Sequence, residues 1–441
     1  MKLLFVSLGC DKNLCDSEHM LGDLMENGFT ICDDEAEADV IVINTCSFIK
    51  DSMEESIQTI IDMGEYKNSG NLKSLIITGC LAERFTDEVL AELPEVDAIV
   101  GTNSYDSIVE AINTTLNKNE KVIIKKPLTG LPVDGKRVLT SGGHYAYLKI
   151  AEGCDKRCTY CAIPGIRGGF RSVPMEQIIE EAQELADQGV QEIILVAQET
   201  TLYGKDLYGK KCLPDLIDKL CEIDNIHWIR LLYAYPEEIT DELIDSMARQ
   251  KKVCHYIDMP IQHCNDYILK RMGRRTNKQD IIDIINKLKI AMPDISLRTT
   301  LICGFPGETQ QMHQELIDFI SEIKFDRLGA FAYSQEENTP AFDFDNQVDE
   351  DTKMAWVEDV MLTQQNISNN NNKSYIGDSL EVFIEGKLPE DGVFIGRSFR
   401  DTPSVDGFVF VNSAEELVSG QFVNVDIISS DEYDLIGDYI S

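Results

Sequence analysis

Residues 153–161 read Gly-Cys-Asp-Lys-Arg-Cys-Thr-Tyr-Cys, which places Cys154, Cys158 and Cys161 in a C-x3-C-x2-C pattern on a short loop. Three thiolates this close in the chain can bind one metal centre. A cubane iron–sulfur cluster takes four ligands, so three cysteines leave one iron open to a small molecule. A structural zinc site and three unrelated buried thiols are the alternatives. Zinc prefers four protein ligands, and no fourth Cys or His lies nearby in the sequence, so the spacing predicts a cubane with an open iron.

The composition is that of a globular protein of about two or three domains, with 441 residues, 43% hydrophobic and 27% charged. The first residues lack a full signal-peptide pattern, and no apolar run is long enough to span a bilayer. We therefore expect a cytoplasmic protein with no membrane partner. Thirteen cysteines in such a chain indicate metal or redox chemistry rather than disulfides.

The net charge of −37 is concentrated toward the end of the chain. Residues 374–441 carry 3 Lys and Arg against 14 Asp and Glu, a net charge of −11. Such a surface repels phosphate backbones and attracts basic partners, although solubility alone is the simpler explanation. We expect a basic protein partner and do not favour direct nucleic-acid binding.

The first part of the chain, residues 1–135, alternates apolar strands with helices and predicts an open parallel α/β sheet. Its first three predicted strands are each followed closely by a cysteine, at Cys10, Cys46 and Cys80. The carboxyl ends of parallel strands share one edge of a sheet, so these thiols should converge. Buried cysteines that follow strands by chance are the alternative. The repeat predicts a second three-cysteine site for a cubane with an open iron.

The central part, residues 140–370, predicts a partial TIM-like (β/α)6 barrel that is open on one side. Ligands of such barrels bind at the carboxyl ends of the strands, and the cysteine loop follows the first strand. The predicted strands are Tyr145–Ile150, Glu192–Ala197, His227–Leu232, His255–Met259, Ser296–Ile302 and Arg327–Phe331.

Polar residues and glycines at these strand ends are candidate ligand contacts. Gln198 and Glu199 end the second strand, and Gly304 follows the fifth, where a glycine lets the backbone approach a ligand closely. Arg298 could bind a carboxylate through two N–H groups. For each residue, a satisfied polar group near a strand end is the alternative, and His263 in particular is expected only to anchor a loop.

The last part, residues 374–441, predicts a small β-barrel of the OB-like kind. Short strands at Ser379–Glu385, Phe408–Val411 and Gln421–Ile427 alternate with turn residues. A helix over Asp349–Asn372 precedes it, and its final run of asparagines, Asn369–Asn372, predicts a linker.

The cysteine loop, with Tyr160 just before its third cysteine, resembles the radical S-adenosylmethionine (SAM) superfamily. Within that superfamily, several stretches resemble the methylthiotransferases, and most closely the branch that modifies an aspartate of small-subunit ribosomal protein S-twelve. The resemblance covers nearly the whole chain, including a C-terminal barrel that looks like a TRAM domain. Cys15 departs from the family pattern, which has an aliphatic residue there. The matching stretches are Ser7–Leu14, Leu195–Thr201, Met259–His263, Arg298–Thr309 and Phe331–Glu337.

The resemblance implies two [4Fe-4S] clusters and SAM as cofactors. It implies an auxiliary cluster on Cys10, Cys46 and Cys80 and a SAM cluster on Cys154, Cys158 and Cys161. It further implies transfer of a methylthio group to the β-carbon of an aspartate by a 5′-deoxyadenosyl radical, with an electron donor such as flavodoxin or ferredoxin. No catalytic residue is assigned beyond the cluster ligands, and the source of the inserted sulfur stays open. The candidate SAM contacts are Tyr160, Gln198, Glu199, Arg298 and Gly304.

Two other functions are weighed against this one. A methylthiotransferase acting on an adenosine of tRNA would share both clusters, but an RNA-binding barrel should have a basic face. A non-catalytic iron–sulfur electron carrier or sensor needs neither two open irons nor a barrel with a SAM-binding loop.

Overall fold

A computed structural model describes residues 1–118, 120–132, 135–389 and 392–440. Over these ranges the chain forms a parallel N-terminal sheet, a second parallel sheet that we call the half-barrel, and a closed C-terminal barrel. The predicted α/β fold class, with its final small β-barrel, is confirmed. Among the described helices, none has both the length and the hydropathy needed to cross a bilayer.

The N-terminal sheet is built from parallel strands in the spatial order β2-β1-β3-β4-β5-β6. Every residue of β3 and β4 is buried, as expected for strands covered by helices on both faces. The strands are β1 (Lys2–Ser7), β2 (Thr30–Ile31), β3 (Val40–Thr45), β4 (Ser74–Gly79), β5 (Ala98–Val100) and β6 (Val122–Ile124). The helices are α1 (Asp11–Glu26), α2 (Lys50–Gly64), α3 (Tyr66–Ser69), α4 (Cys80–Arg84), α5 (Thr86–Glu92) and α6 (Ile108–Lys118).

Two of these strands were not predicted from the sequence. The strand Val122–Ile124 lies in a stretch that the prolines and glycines around it predict to be a loop, and Thr30–Ile31 has only two residues. Both are at the edges of the sheet. The run Val122–Ile124 is apolar, but with three residues it is shorter than the runs of about four to eight from which strands are recognised.

The half-barrel has its parallel strands in sequence order, from β7 at one edge to β14 at the other. These edges do not pair, so the barrel is open on one side, as predicted. The strands are β7 (Tyr145–Lys149), β10 (Glu192–Val196), β11 (Trp228–Leu231), β12 (Val253–Asp258), β13 (Ser296–Cys303) and β14 (Arg327–Ala332), with a separate ribbon of β8 (Ala151–Glu152) and β9 (Arg171–Ser172). The helices of this part are α7 (Ile163–Arg167), α8 (Met175–Asp187), α9 (Lys205–Tyr208), α10 (Leu213–Leu220), α11 (Asp241–Arg249), α12 (Asp266–Arg271), α13 (Lys278–Ala291), α14 (Gln310–Ile323) and α15 (Glu350–Lys373).

The predicted asparagine linker is wrong, because helix α15 continues through that run to Lys373. Asn372 is fully buried, and its side-chain oxygen accepts a hydrogen bond from Arg400 at 3.2 Å. Asn371 donates to Asp326 at 3.3 Å. Contacts with the half-barrel and the C-terminal barrel therefore override the weak helix propensity of asparagine.

The C-terminal barrel closes in the order β15-β16-β17-β19-β18 in the part of the chain that the structure describes. Its interior is filled by apolar residues that alternate along the strands, such as Leu380, Val382 and Ile384. The strands are β15 (Ser379–Lys387), β16 (Val393–Ser398), β17 (Val409–Asn412), β18 (Phe422–Ser430) and β19 (Leu435–Ile440), of which β16 and β19 were not predicted.

A buried ion network joins the C-terminal barrel to the half-barrel. Glu192 accepts hydrogen bonds from Arg230 at 2.8 Å and from Arg397 at 2.6 Å, and all three side chains are fully buried. Burial would raise the pKa of Glu192, but the two guanidinium groups outweigh it and hold that pKa below its usual value. Arg327 similarly donates to Asp401. The C-terminal barrel therefore supplies counter-charges to the half-barrel.

We expect Glu192→Ala to lower the free energy of unfolding by about 3–5 kcal/mol, because it leaves the buried Arg230 guanidinium without a carboxylate, while Arg397 keeps only Glu385. Thermal denaturation measures the effect. The matched control is Glu416→Ala, whose exposed pair with Lys387 is worth about 0–1 kcal/mol. Equal melting temperatures for the two variants would contradict the assignment of the network.

Candidate active site

The cysteines that follow the N-terminal strands lie side by side at one edge of the sheet. Strand β3 lies between β1 and β4, and Asn44 pairs with Ser7 on one side and Thr78 on the other, so the strand ends are level. Burial raises the pKa of the Cys80 thiol to about 12, and the neighbouring Cys10 and Cys46 thiols add to the rise. The structure thus brings the three residues together, with Cys10 exposed and the other two buried.

Two glycines allow these strand ends to approach one another. A Cβ atom on Gly9 would lie 3.2 Å from the Cys46 sulfur, and one on Gly79 would lie 2.5 Å from the Thr45 carbonyl oxygen. Both residues also have positive φ, +94° and +86°, which side-chain-bearing residues rarely adopt. The Gly-Cys pairs at both positions are therefore a steric requirement of this edge.

The second group lies on the loop between β8 and α7. The backbone N–H of Cys154 donates to the Gly168 carbonyl at 3.1 Å, and that of Cys161 donates to the Cys158 carbonyl at 3.1 Å. Burial raises the pKa of Cys154 to about 11 and that of Cys161 to about 12. Free thiols in this setting stay protonated near neutral pH, so metal binding would release protons.

Each cysteine group offers three thiols, and a single metal ion and a cubane need different arrangements of them. In the described ranges, no three Cys, His, Asp or Glu side chains converge closely enough to hold one metal ion. The cysteines of a cubane bind different irons, so they need not converge as tightly as zinc ligands. Each group of three thiols is one short of the four protein ligands that a structural zinc ion prefers, and it would leave one iron of a cubane open.

Gln198 and Glu199 lie at the carboxyl end of β10, next to the cysteine loop. The Gln198 side chain accepts from the Gly153 N–H at 2.8 Å and donates to Glu152 at 2.8 Å, so it orients the start of the loop. One oxygen of Glu199 accepts from the Thr201 N–H, whereas Oε2 is buried without a hydrogen bond, 3.6 Å from the Lys156 ammonium. Burial raises the pKa of Glu199 to about 7.

Arg298 and Gly304 belong to β13 and the loop after it. Arg298 donates to Asp258 at 2.6 Å, and its Nε lies 3.5 Å from a carboxylate oxygen of Asp406 in the C-terminal barrel. Its guanidinium thus already has two carboxylate partners. The Gly304 N–H donates to Glu308 at 2.7 Å. Contact of either residue with SAM stays a prediction.

His263 anchors the loop after β12. Its Nδ1 accepts from the backbone N–H groups of Cys264 at 3.0 Å and Asn265 at 2.9 Å. The proton therefore sits on Nε2, which lies 3.3 Å from Glu308, and both side chains are fully buried. Because Glu308 also binds the Gly304 amide, this pair connects the loops that follow two neighbouring strands.

Arg274 is a site residue that the sequence analysis missed. It is 7% exposed and donates to the Pro260 carbonyl at 2.8 Å, while its Nε and Nη1 lack hydrogen-bond partners. Its guanidinium lies 4.3 Å from the centre of the Tyr235 ring, beside Tyr160 and Cys158. The only signal in the sequence is a basic stretch between two strands, which usually marks a solvated surface.

Tyr160 and Cys15 have different surroundings. Tyr160 packs edge-on against Phe305, with 6.4 Å between ring centres, so it brings the cysteine loop into contact with the loop after β13. Cys15 is buried on α1, and its thiol donates to the Tyr147 carbonyl at 3.5 Å. It points to the half-barrel and takes no part in the cysteine group at the sheet edge.

A second residue that the sequence analysis missed connects the cysteine groups. Arg167, at the end of α7, donates to Asp16 at 2.7 Å and to Glu152 at 3.2 Å, and also donates to Asn13. Asp16 and Asn13 lie on α1, which begins directly after Cys10. The carboxyl-end edges of the two sheets therefore face one another across this arginine.

Three family models match the parts of this fold. Residues 148–320 match the radical SAM superfamily, residues 2–101 match the uncharacterized protein family UPF0004, and residues 376–440 match the TRAM domain. The half-barrel with its cysteine loop thus defines a radical SAM enzyme.

The curated relatives span the whole chain. The ribosomal protein uS12 methylthiotransferase RimO of Lachnoclostridium phytofermentans is 55% identical over 99% of both chains. Those of Acetivibrio thermocellus and Clostridioides difficile are 49% and 47% identical, each over 100% of this chain and 98% and 99% of theirs. The chain belongs to the ribosomal protein uS12 methylthiotransferase family.

Solved structures share the fold at low identity. The radical SAM methyltransferase TsrM of Kitasatospora setae aligns with a TM-score of 0.56 at 12% identity, over 89% of this chain and 80% of its own. The cobalamin-dependent radical SAM enzyme OxsB aligns with a TM-score of 0.53 at 13% identity, over 82% and 56%. These likenesses support the fold of the chain.

We expect His263→Ala to lower the free energy of unfolding by about 2 kcal/mol or more, because two buried N–H groups lose their acceptor. The melting temperature of the purified protein reports the change. His255→Ala is the control, since its pair with Asp294 is partly exposed and contributes about 0–1 kcal/mol. A His263 variant as stable as the control would argue against the anchoring role.

Proposed function

We propose that this radical SAM methylthiotransferase modifies the β-carbon of an aspartate in ribosomal protein uS12 and carries two [4Fe-4S] clusters. The observation that carries the proposal is the pair of three-cysteine groups at facing sheet edges, in a chain whose full-length relatives are named uS12 methylthiotransferases. Each group offers three thiols to a cluster that takes four ligands.

In this proposal Cys154, Cys158 and Cys161 hold the cluster that binds SAM, and Cys10, Cys46 and Cys80 hold the auxiliary cluster. When bound, the clusters and SAM supply a radical that removes hydrogen from an unactivated carbon and a site from which a methylthio group is delivered. An electron donor such as flavodoxin or ferredoxin is part of the proposal, and the cytoplasm is the expected compartment.

The residues of the chain bind and orient SAM and exclude water. The Oε2 of Glu199 has no hydrogen bond and lies 3.6 Å from the Lys156 ammonium, so it would gain from a further cationic partner such as the ammonium of SAM. Gln198 holds the cysteine loop, and Tyr160 packs over its end. Gly304 lets the backbone approach the ligand, and Arg298 would share its remaining N–H groups with the SAM carboxylate.

The acidic C-terminal barrel supports a basic protein substrate. Asp401 and Asp406 face arginines of the half-barrel, but a further set of carboxylates is exposed to solvent. Electrostatic complementarity favours a basic ribosomal protein over a phosphate backbone. The exposed residues are Asp378, Glu381, Glu415, Glu416, Asp426, Asp431 and Asp438.

Cysteine variants separate the two proposed clusters. We expect Cys158→Ala to abolish SAM cleavage, and Cys46→Ala to leave cleavage to 5′-deoxyadenosine without methylthio transfer, with each variant losing about half of the iron. Iron counting after anaerobic reconstitution and chromatography of the products measure both effects. The control is Cys15→Ala, which should keep all the iron because its thiol faces the Tyr147 carbonyl. Normal product from Cys46→Ala would refute the auxiliary role.

The substrate is tested by direct competition. We expect the reconstituted enzyme with SAM and a reductant to add the mass of one methylthio group to uS12 and none to tRNA, because its exposed carboxylates repel phosphates. Mass spectrometry of both components decides it. A methylthio group on tRNA alone would reverse the assignment, and failure to form 5′-deoxyadenosine would leave only an electron carrier or sensor.

A further inference from the structure

Arg167 is placed where a single side chain can touch both cysteine groups. It ends α7, six residues after Cys161, and is 2% exposed. Its guanidinium lies against α1, the helix that starts after Cys10. It pairs with Asp16 of the N-terminal part and with Glu152 of the half-barrel, so its position depends on both parts of the chain.

On the N-terminal side, Arg167 is linked to the ends of the strands by hydrogen bonds through Asn13. Its Nη2 donates to the Asn13 side-chain oxygen. The Asn13 side-chain nitrogen in turn donates to the carbonyl oxygens of Leu8 and Thr45, each at 3.0 Å. These carbonyls lie two residues before Cys10 and one residue before Cys46. One guanidinium thus fixes the asparagine that holds both turns.

Cys80, the third cysteine of that group, also belongs to the hydrogen-bond network around Arg167. The Cys80 thiol donates at 3.9 Å to the Asn13 side-chain oxygen, the same atom to which Arg167 donates. Through Asn13, Arg167 is therefore linked to the backbone just before Cys10 and Cys46 and to the sulfur of Cys80.

On the half-barrel side, Arg167 contacts the start of the SAM-cluster loop. Its Nη1 donates to Glu152 at 3.2 Å, two residues before Cys154. Glu152 also accepts from Gln198, and the Lys149 ammonium lies 3.1 Å away. A guanidinium presents planar N–H groups in a fixed fork, so it can hold acceptors on both sides at set angles, which an ammonium cannot do.

We propose that Arg167 is a positioning residue that fixes the separation and orientation of the two cysteine groups. This inference rests on the proposed function. A radical formed at one group is useful only if the substrate carbon and the methylthio donor at the other group lie within reaction distance. A displacement of about 1 Å can reduce such a transfer about 100-fold. Arg167 therefore sets how many SAM cleavages lead to product.

The test compares Arg167→Gln and Arg167→Lys with the wild-type holoenzyme, reconstituted with both clusters. The measurements are iron content, 5′-deoxyadenosine, methylthio-uS12, and the magnetic interaction between the two reduced clusters by electron paramagnetic resonance. We expect iron and 5′-deoxyadenosine to stay within about twofold of wild type, and product per 5′-deoxyadenosine to fall about tenfold or more in Arg167→Gln. Arg167→Lys should keep the charge but show a smaller fall and an altered magnetic interaction.

Arg137→Gln is the matched control. Arg137 is also a buried arginine at this interface, where it binds Glu18 of α1 at 2.6 Å and Glu181 of α8 at 2.8 Å, but it touches no cysteine of either group. We expect it to lower stability while leaving the product ratio unchanged. If Arg167→Gln does not fold, the ratio of product to 5′-deoxyadenosine in Arg167→Lys tests the inference instead.

Three results would overturn the inference. These are an unchanged product ratio and magnetic interaction in both Arg167 variants, an equal fall in Arg137→Gln, and loss of iron as the main effect. A wild-type enzyme that cleaves SAM but makes no methylthio-uS12 would instead count against the proposed function, so the two failures are distinguishable.

Discussion

Buried arginines that share carboxylates between separate parts of the chain are the constraint on which the whole arrangement depends. Arg167 joins the N-terminal sheet to the half-barrel, and Glu192 is shared by Arg230 of the half-barrel and Arg397 of the C-terminal barrel. A buried charge without a partner costs several kcal/mol, roughly 3–5 when one member of a pair is lost. Because the partners lie on different parts, moving one part away would leave charges buried and unpaired.

This constraint explains why two sheets with unrelated topology present their reactive edges to one another. Each sheet places its cysteines at the carboxyl ends of parallel strands, where the backbone turns away and ligands bind. The ionic contacts around Asp16 and Glu152 close the space between those edges. Cys10 is exposed, while Cys46 and Cys80 are buried, so the N-terminal group opens to solvent on one side only.

Local pattern predicts much of this fold, and long-range contacts account for the rest. The six half-barrel strands and the cysteines after β1, β3 and β4 follow from apolar runs and their spacing, which depend on neighbours in sequence. The helical asparagine run could not be predicted, because its reason is a contact between Asn372 and Arg400 of the C-terminal barrel. Arg274 and Arg167 were missed for the same reason, since an arginine in a sequence gives no sign of being buried. Arg298 likewise has its two partners, Asp258 and Asp406, far away in the chain.

The dependence of the half-barrel on Asp401 and Asp406 has a consequence for biosynthesis. These carboxylates are translated after their partners Arg298 and Arg327, which lie earlier in the chain. Until the C-terminal barrel is made, Arg327 lacks Asp401 and Arg298 has Asp258 but not Asp406, which disfavours burial of these guanidinium groups. Packing of this face is then ordered in time, because the half-barrel completes its ion pairs only after the C-terminal barrel has been synthesised.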